Sequence, residues 1–341
     1  MCCAPLVGIV MSFVDKAYAC LAGLALGDAL GMPTEFLTPG QITEHFGWVE
    51  DFGPAPEWHP HSRMEPGEIT DDTGQALAIA HAYAGDGALR LEAVVRELLA
   101  WAEAMPEDKY GILVGPSTSQ ALEAIQAGSP PEKSGASGKT NGGSMRVAPV
   151  GIVQRGDIIG AVEDAHVACI PTHNTTVAIA GSGAVAAAIG EALKDDSTLE
   201  SITNAGKVGA RRGRKKGAWA WGTRLENRIE LAEEIVRGED DEKKALRRLY
   251  EYVGVDMLVA ESIATAFGIV ILAKGDPMKA CVLGANAGGD TDTIAAVSGA
   301  ICGAWRGMRD IDQGLLKILL DVNNLDLYHE AQRLVHIAKG K

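Results

Sequence analysis

Runs of alternating β-branched residues, the mark of a half-buried strand, do not occur in this chain, and that absence constrains its fold more than any other feature. Apolar residues recur at helical spacing instead. Residues 13 to 30 place Ala17, Leu21 and Leu24 on one face, which continues one turn on at Asp28 and turns that carboxylate inward. A second helix runs from Asp71 through Ala76, Leu77, Ala80 and Tyr83, and others are predicted at about 91 to 105 and 116 to 126. Beyond them the periodicity marks about 144 to 152, 157 to 169, 174 to 194, 197 to 210, 223 to 237, 241 to 252, 258 to 273, 277 to 285, 291 to 305, 311 to 319 and 325 to 339. Hydrophobic residues make up 47% of the sequence and aromatic ones 5%, so Ala, Leu, Val and Ile carry the core, as suits closely packed helices. The expected class is all-α, with a dozen or more helices and no solenoid period.

No stretch has the composition of an interdomain linker. One domain over residues 13–341 is therefore expected, behind an N-terminal extension over residues 1–12 that is a candidate for disorder; two domains are the alternative. Phe46 to Gly67, rich in Pro, Gly and Trp, reads as a long irregular loop of the kind that often lines a site. Within it His59 and His61, near Trp58, could reach a cleft, although their spacing is no metal motif. The Gly/Ser/Lys/Asn-rich run after Ser129, ending at Gly143, has the composition of a flexible loop and is the strongest internal candidate for disorder.

A formal charge of −14 argues against a general nucleic-acid binder, because phosphate binding needs clustered cations. Six cysteines, at positions 2, 3, 20, 169, 281 and 302, form no CxxC pair and no zinc-ligand spacing, which points to reduced thiols. The apolar stretch from Met1 to Met11 lacks the basic flank of a cleaved signal, and no apolar run reaches membrane-spanning length. A cytoplasmic protein without a membrane partner is expected, with Met11 as a candidate translation start.

Two short acidic clusters, each opening a predicted helix, are the strongest chemical signal: GEITDDT from Gly67 and GGDTDT from Gly288. Around a first helical turn, carboxylates one or two positions apart can converge on a common point, whereas inside a helix they diverge. Asp and Thr oxygens suit magnesium or manganese, and the helix N-terminus favours their ionised form. Either cluster alone is also an ordinary capping sequence, and the sequence does not say whether positions 72 and 290 meet.

Four segments in order, GLALGDALGMPTEF (Gly23 to Phe36), ITDDT (Ile69 to Thr73), NGGSMRVAPVG (Asn141 to Gly151) and AGGDTDTIA (Ala287 to Ala295), give the chain a resemblance to the ADP-ribosylglycohydrolases over residues 13 to about 308. The resemblance implies a compact orthogonal bundle with a cleft holding two magnesium ions, manganese being a possible substitute. The matching ligand positions are Thr70, Asp71, Asp72, Asp290, Asp292 and Thr293. Glu35 matches a carboxylate implicated in catalysis in some relatives, and Asp72 and Asp292 would contribute through the metal. Asp28 is expected to be a buried acceptor, a direct catalytic role being the alternative. Asn141, Gly142, Gly143, Ser144 and Met145 match the loop that holds ribose and diphosphate through main-chain N–H groups, and Arg146 would either contact phosphate or anchor a helix. His173 matches a sugar or phosphate contact, but Asn174 stands where many relatives carry a second histidine or a small residue.

The activity so implied is hydrolysis at the anomeric carbon of a riboside through an oxocarbenium-like transition state. Its substrate would be an ADP-ribosylated protein or a small N-riboside, the enzyme a monomer or small homo-oligomer. A non-catalytic ADP-ribose-binding or structural protein is the alternative of another class. The basic segment from Lys207 to Arg224, with Trp219 and Trp221, matches no family motif; it suits either a grip on an acidic or aromatic partner or a solvated helix end with two packed indoles.

Overall fold

Most of the helices form where the periodicity places them, and small residues decide how closely they pack. The computed structural model describes residues 11–340, so most of the expected N-terminal extension, with Cys2 and Cys3, lies outside the described residues. In chain order the helices are α1 (Phe13–Gly31), α2 (Pro39–Phe46), α3 (Asp71–Ala82), α4 (Leu91–Ala104), α5 (Glu107–Leu113), α6 (Pro116–Gln126), α7 (Pro131–Ser134), α8 (Ala148–Val153) and α9 (Ile158–His173). They continue with α10 (Thr176–Ala192), α11 (Leu199–Gly213), α12 (Leu225–Arg237), α13 (Glu242–Arg248), α14 (Val259–Leu272), α15 (Pro277–Ala285), α16 (Thr291–Arg306), α17 (Gln313–Asn323) and α18 (Leu327–Lys339). Among the described residues there is no strand, only isolated bridges such as Thr140 with Leu258 and Thr175 with Ala218. No helix of the described residues is long and apolar enough to cross a membrane. Cys20, Cys169, Cys281 and Cys302 are buried free thiols.

The core centres on α1, α10, α14 and α16, which are buried around most of their circumference. Amphipathic helices such as α4, α12 and α18 cover them with one apolar face each. Gly23, Gly27 and Gly31 fall on one face of α1 at intervals of four. A Cβ at these positions would meet the main chain of Gly299, Ala295 and Asp292 respectively, so α1 and α16 lie backbone against backbone. The last contact seats the end of α1 against the first turn of α16, where Thr291 Oγ1 also donates to the Gly31 carbonyl at 2.9 Å.

Several elements depart from the periodic reading. The 129–143 run is ordered as α7 and a 3-10 turn at Asn141–Gly143. Its glycines serve packing: a Cβ at Gly135 or Gly138 would strike the carbonyls of Ile170 or Thr172 at the end of α9. Their own carbonyls accept from Asn174 N–H at 2.7 Å and Thr175 Oγ1 at 2.6 Å. Composition alone cannot separate glycine used for freedom from glycine used for closeness. Helices α2 and α5 lie outside the periodic segments, and the expected 241–252 helix ends at Arg248 and becomes a π-helical turn at Leu249–Val253.

Adding bulk to the α1–α16 seam should be costly. Gly27→Val is expected to destabilise the fold by about 3 kcal/mol, the upper end of ordinary overpacking. Urea denaturation measures it; an unchanged midpoint would contradict the close approach.

Candidate metal centre and active site

Both acidic turns open helices whose N-termini α1 helps to position. Asp28, fully buried, accepts the Thr70 N–H at 3.0 Å, the Thr73 N–H at 3.0 Å and the Thr73 hydroxyl at 2.5 Å, which uses it as a structural acceptor for the start of α3. Thr70 caps that helix, its hydroxyl accepting the Asp72 N–H at 3.4 Å. At α16, Gly288 and Gly289 take left-handed conformations (φ 81° and 70°) ahead of Asp290, a pair of dihedrals that side-chain-bearing residues rarely adopt. The turn is tied down by Phe36 N–H to Gly289 O at 2.7 Å, Gly289 N–H to Leu37 O at 2.8 Å and Asp290 N–H to Val255 O at 2.8 Å.

The two turns meet. Thr293 Oγ1 donates to Asp72 Oδ2 at 3.3 Å across 221 residues of sequence. One oxygen from each of Glu35, Asp290 and Asp292 lies within 4.8 Å of the others, a spacing that suits one cation. The Asn141 amide donates to Asp290 and, at 2.9 Å, to Ser262 Oγ. Thr70, Asp71, Asp72, Asp290, Asp292 and Thr293 all line a cleft of about 170 Å³ together with Glu35.

Among the described residues, no lysine or arginine lines that cleft. Burial, reinforced by the neighbouring carboxylates, raises Glu35, Asp71, Asp72 and Asp292 well above the ordinary carboxyl range. Asp28 and Asp290 are raised by burial too, against the opposing pull of their hydrogen bonds. Asp72 Oδ1 is buried without a hydrogen-bond partner. Crowded oxygens, an orphaned acceptor and the lack of a compensating side-chain cation together fit a hard divalent ion, which would supply the missing charge and take up the free lone pairs.

Glu35 reaches the cluster from the turn after α1. His61 Nε2 lies 2.5 Å from its Oε2, and His59 Nε2 donates to its carbonyl at 2.6 Å. Burial pushes the His61 imidazole down to about 4, and burial with the nearby Asp290 and Asp28 pushes the Glu35 carboxyl well up. Neither histidine carries a metal-ligand spacing in sequence; the loop brings them to Glu35 through the turns at Pro56–His59 and His59–Ser62.

The glycine-rich segment divides. Asn141, Gly142 and Met145 border the cleft with His173, whereas Gly143 and Ser144 turn towards the core, against Cys169 and Ser182 for the first and Gly181 and Ser182 for the second. The Asn141 carbonyl accepts the N–H groups of both Ser144 and Met145, at 2.5 and 3.1 Å, so these two are engaged within the turn. Arg146 is fully buried outside the cleft lining and donates to Gln75 Oε1 at 2.6 Å, the Ala168 carbonyl at 2.7 Å and Thr172 Oγ1 at 2.7 Å. Gln75 in turn donates to Asp71 Oδ2 at 2.8 Å, linking the metal turn to the core. Both ring nitrogens of His173 are engaged, Nδ1 with Thr172 Oγ1 at 2.8 Å and Nε2 with Thr140 Oγ1 at 2.9 Å. Burial and the nearby Arg146 push its imidazole down to about 3, which keeps it neutral.

Sequence reasoning missed Phe36, Thr140, Met257 and the Gly111–Thr118 segment, which also border the cleft. Phe36 is half-exposed in a left-handed conformation (φ 65°) next to Glu35, and no sequence pattern marks that strain. The basic segment after Lys207 stands apart from the cleft. Lys207 and Lys216 pair with Glu233 and Glu163, and Trp219 and Trp221 are exposed and touch each other at 4.6 Å, so the indoles are not packed into the core.

Residues 10–340 match the family model for ADP-ribosylglycohydrolase. The chain is 36% identical to the uncharacterized protein YegU of Escherichia coli over 94% of its own length and 96% of that protein's. It is 26% identical to the ADP-ribosyl-[dinitrogen reductase] glycohydrolase of Rhodospirillum rubrum, covering 89% and 90% of the two chains. A solved ADP-ribosylglycohydrolase-related protein superposes with a TM-score of 0.64 at 25% identity, over 96% of this chain and 99% of that one. With its two acidic turns brought together in one cleft, the chain belongs to the ADP-ribosylglycohydrolase family, hydrolases that act on ADP-ribosyl bonds.

Proposed function

We propose that this chain is a cytoplasmic, magnesium-dependent N-glycosidase that hydrolyses the ribosyl bond of ADP-ribosylated substrates. The observation that carries the reading is the contact between Thr293 and Asp72, which puts six oxygen-bearing side chains of two distant turns around one small cleft. Thr70, Asp71, Asp72, Asp290, Asp292 and Thr293 would hold two cations, with manganese able to replace magnesium. Bound there, the ions would orient the ribose hydroxyls and make an attacking water more acidic.

The protein's own groups do the rest. Asn141 fixes the orientation of Asp290 through its amide, and Asp28 keeps the Thr70–Asp72 turn in place from behind. Gly142, without a side chain, leaves room for main-chain approach to the sugar, and His173 acts on the cleft by orienting the Thr140 hydroxyl. Glu35 borders the cluster with a raised affinity for protons, which suits a carboxyl that transfers one at the anomeric centre. The enclosed volume, about 170 Å³, is less than most ligand pockets of several hundred Å³ and favours, as a second reading, a small N-riboside over a substrate enclosed whole.

Asp72→Asn and Asp292→Asn should each reduce turnover at least a hundredfold while leaving the circular dichroism spectrum unchanged. Retained turnover in both variants would refute their assignment. Magnesium or manganese at a hundred times Kd should stabilise the fold by about 2.7 kcal/mol, seen as a rise in Tm. Because the carboxyls bind protons above their ordinary range, cations must displace those protons at low pH, and the rise should be larger at pH 8 than at pH 5. Incubation with ADP-ribosylated protein and with a panel of ribosides, with and without magnesium, should release ADP-ribose from the first; product from the small ribosides alone would select the second reading.

A further inference from the structure

Glu35 stands in a place that its own charge opposes. Its carboxyl is buried and lies within 4.8 Å of oxygens of Asp290 and Asp292, so like charges crowd it. Among the described residues, its carboxyl has one hydrogen-bond partner, His61 Nε2 at 2.5 Å. That imidazole is itself immobilised. His61 is 2% exposed, its ring packs against those of His59 at 5.2 Å and Phe36 at 6.2 Å, and its main-chain N–H donates to His59 Nδ1 at 3.1 Å. His59, also 2% exposed, donates through Nε2 to the Glu35 carbonyl at 2.6 Å. The His-Pro-His stretch of an otherwise irregular loop thus grips one residue twice, at its main chain and at its side chain.

We infer that His61 is a positioning residue that holds the Glu35 carboxyl against the Asp290–Asp292 pair, with His59 clamping the Glu35 main chain. The inference rests on the reading of the cleft as a cation site and adds to it the reason that Glu35 is available there. Removing a partner of this kind, which orients a group beside a metal, typically weakens affinity by 10–100-fold.

The test is titration calorimetry of the full chain with manganese chloride, with circular dichroism as a control for folding. His61→Ala should weaken manganese binding about tenfold. His61→Gln, whose amide N–H reaches about as far as Nε2, should restore it to within about threefold of the wild type. In a Glu35→Gln background, His61→Ala should add little further loss, because the histidine acts through Glu35. Should the alanine variant not fold, His61→Asn, too short to reach Glu35, is expected to lose affinity in its place. On the catalytic side kcat should fall more than KM rises. Wild-type affinity in His61→Ala, no recovery in His61→Gln, or an equal loss in the Glu35→Gln background would each overturn the inference while leaving the cation site standing. Absence of manganese binding by the wild-type chain would overturn both.

Discussion

One turn of α1 holds the site together. Asp28 accepts three hydrogen bonds from the first turn of α3, and Gly31, three residues on, lets the first turn of α16 rest directly on the α1 backbone. Neither residue borders the cleft, yet each fixes one of the two acidic turns relative to the same rigid helix. The convergence of carboxylates from positions 72 and 292 is therefore a consequence of helix packing, and the glycine stripe that permits it continues back along α1 to Gly23. A buried carboxylate such as Asp28 would be costly without its donors, and the two threonine N–H groups at the open end of α3 are in equal need of an acceptor.

The same packing creates an electrostatic imbalance. Six carboxyls are drawn into or beside a cleft whose lining, among the described residues, holds no lysine or arginine, and Arg146 is turned into the core to satisfy Gln75, Ala168 and Thr172. The imbalance is what a site designed to bind cations requires, since a resident positive side chain would compete with the ion. It also gives the family membership a physical content, because the acidic turns of a hydrolase acting on ADP-ribosyl bonds are here brought within hydrogen-bonding distance of each other.

Much of this was legible in the sequence, for identifiable reasons. The apolar stretches over 13 to 30 and from Asp71 placed α1 and α3 almost to the residue, and each begins at a capping hydroxyl, Ser12 and Thr70. The acidic clusters stood out because a first helical turn is the one local setting where neighbouring carboxylates converge. What stayed hidden depended on long-range contact. The order of the 129–143 run comes from glycines pressed on α9, the grip of His59 and His61 on Glu35 from turns in an aperiodic loop, and the burial of Arg146 from three acceptors on two other helices. None of these leaves a periodic or compositional trace.

The central claim is that the two acidic turns share divalent cations, and the most direct measurement is anomalous diffraction from a crystal soaked in manganese. The account requires anomalous peaks inside the cleft, within coordination distance of oxygens from both the Thr70–Asp72 and the Asp290–Thr293 turns. Peaks confined to one turn, or none in the cleft of a crystal that takes up manganese elsewhere, would contradict it.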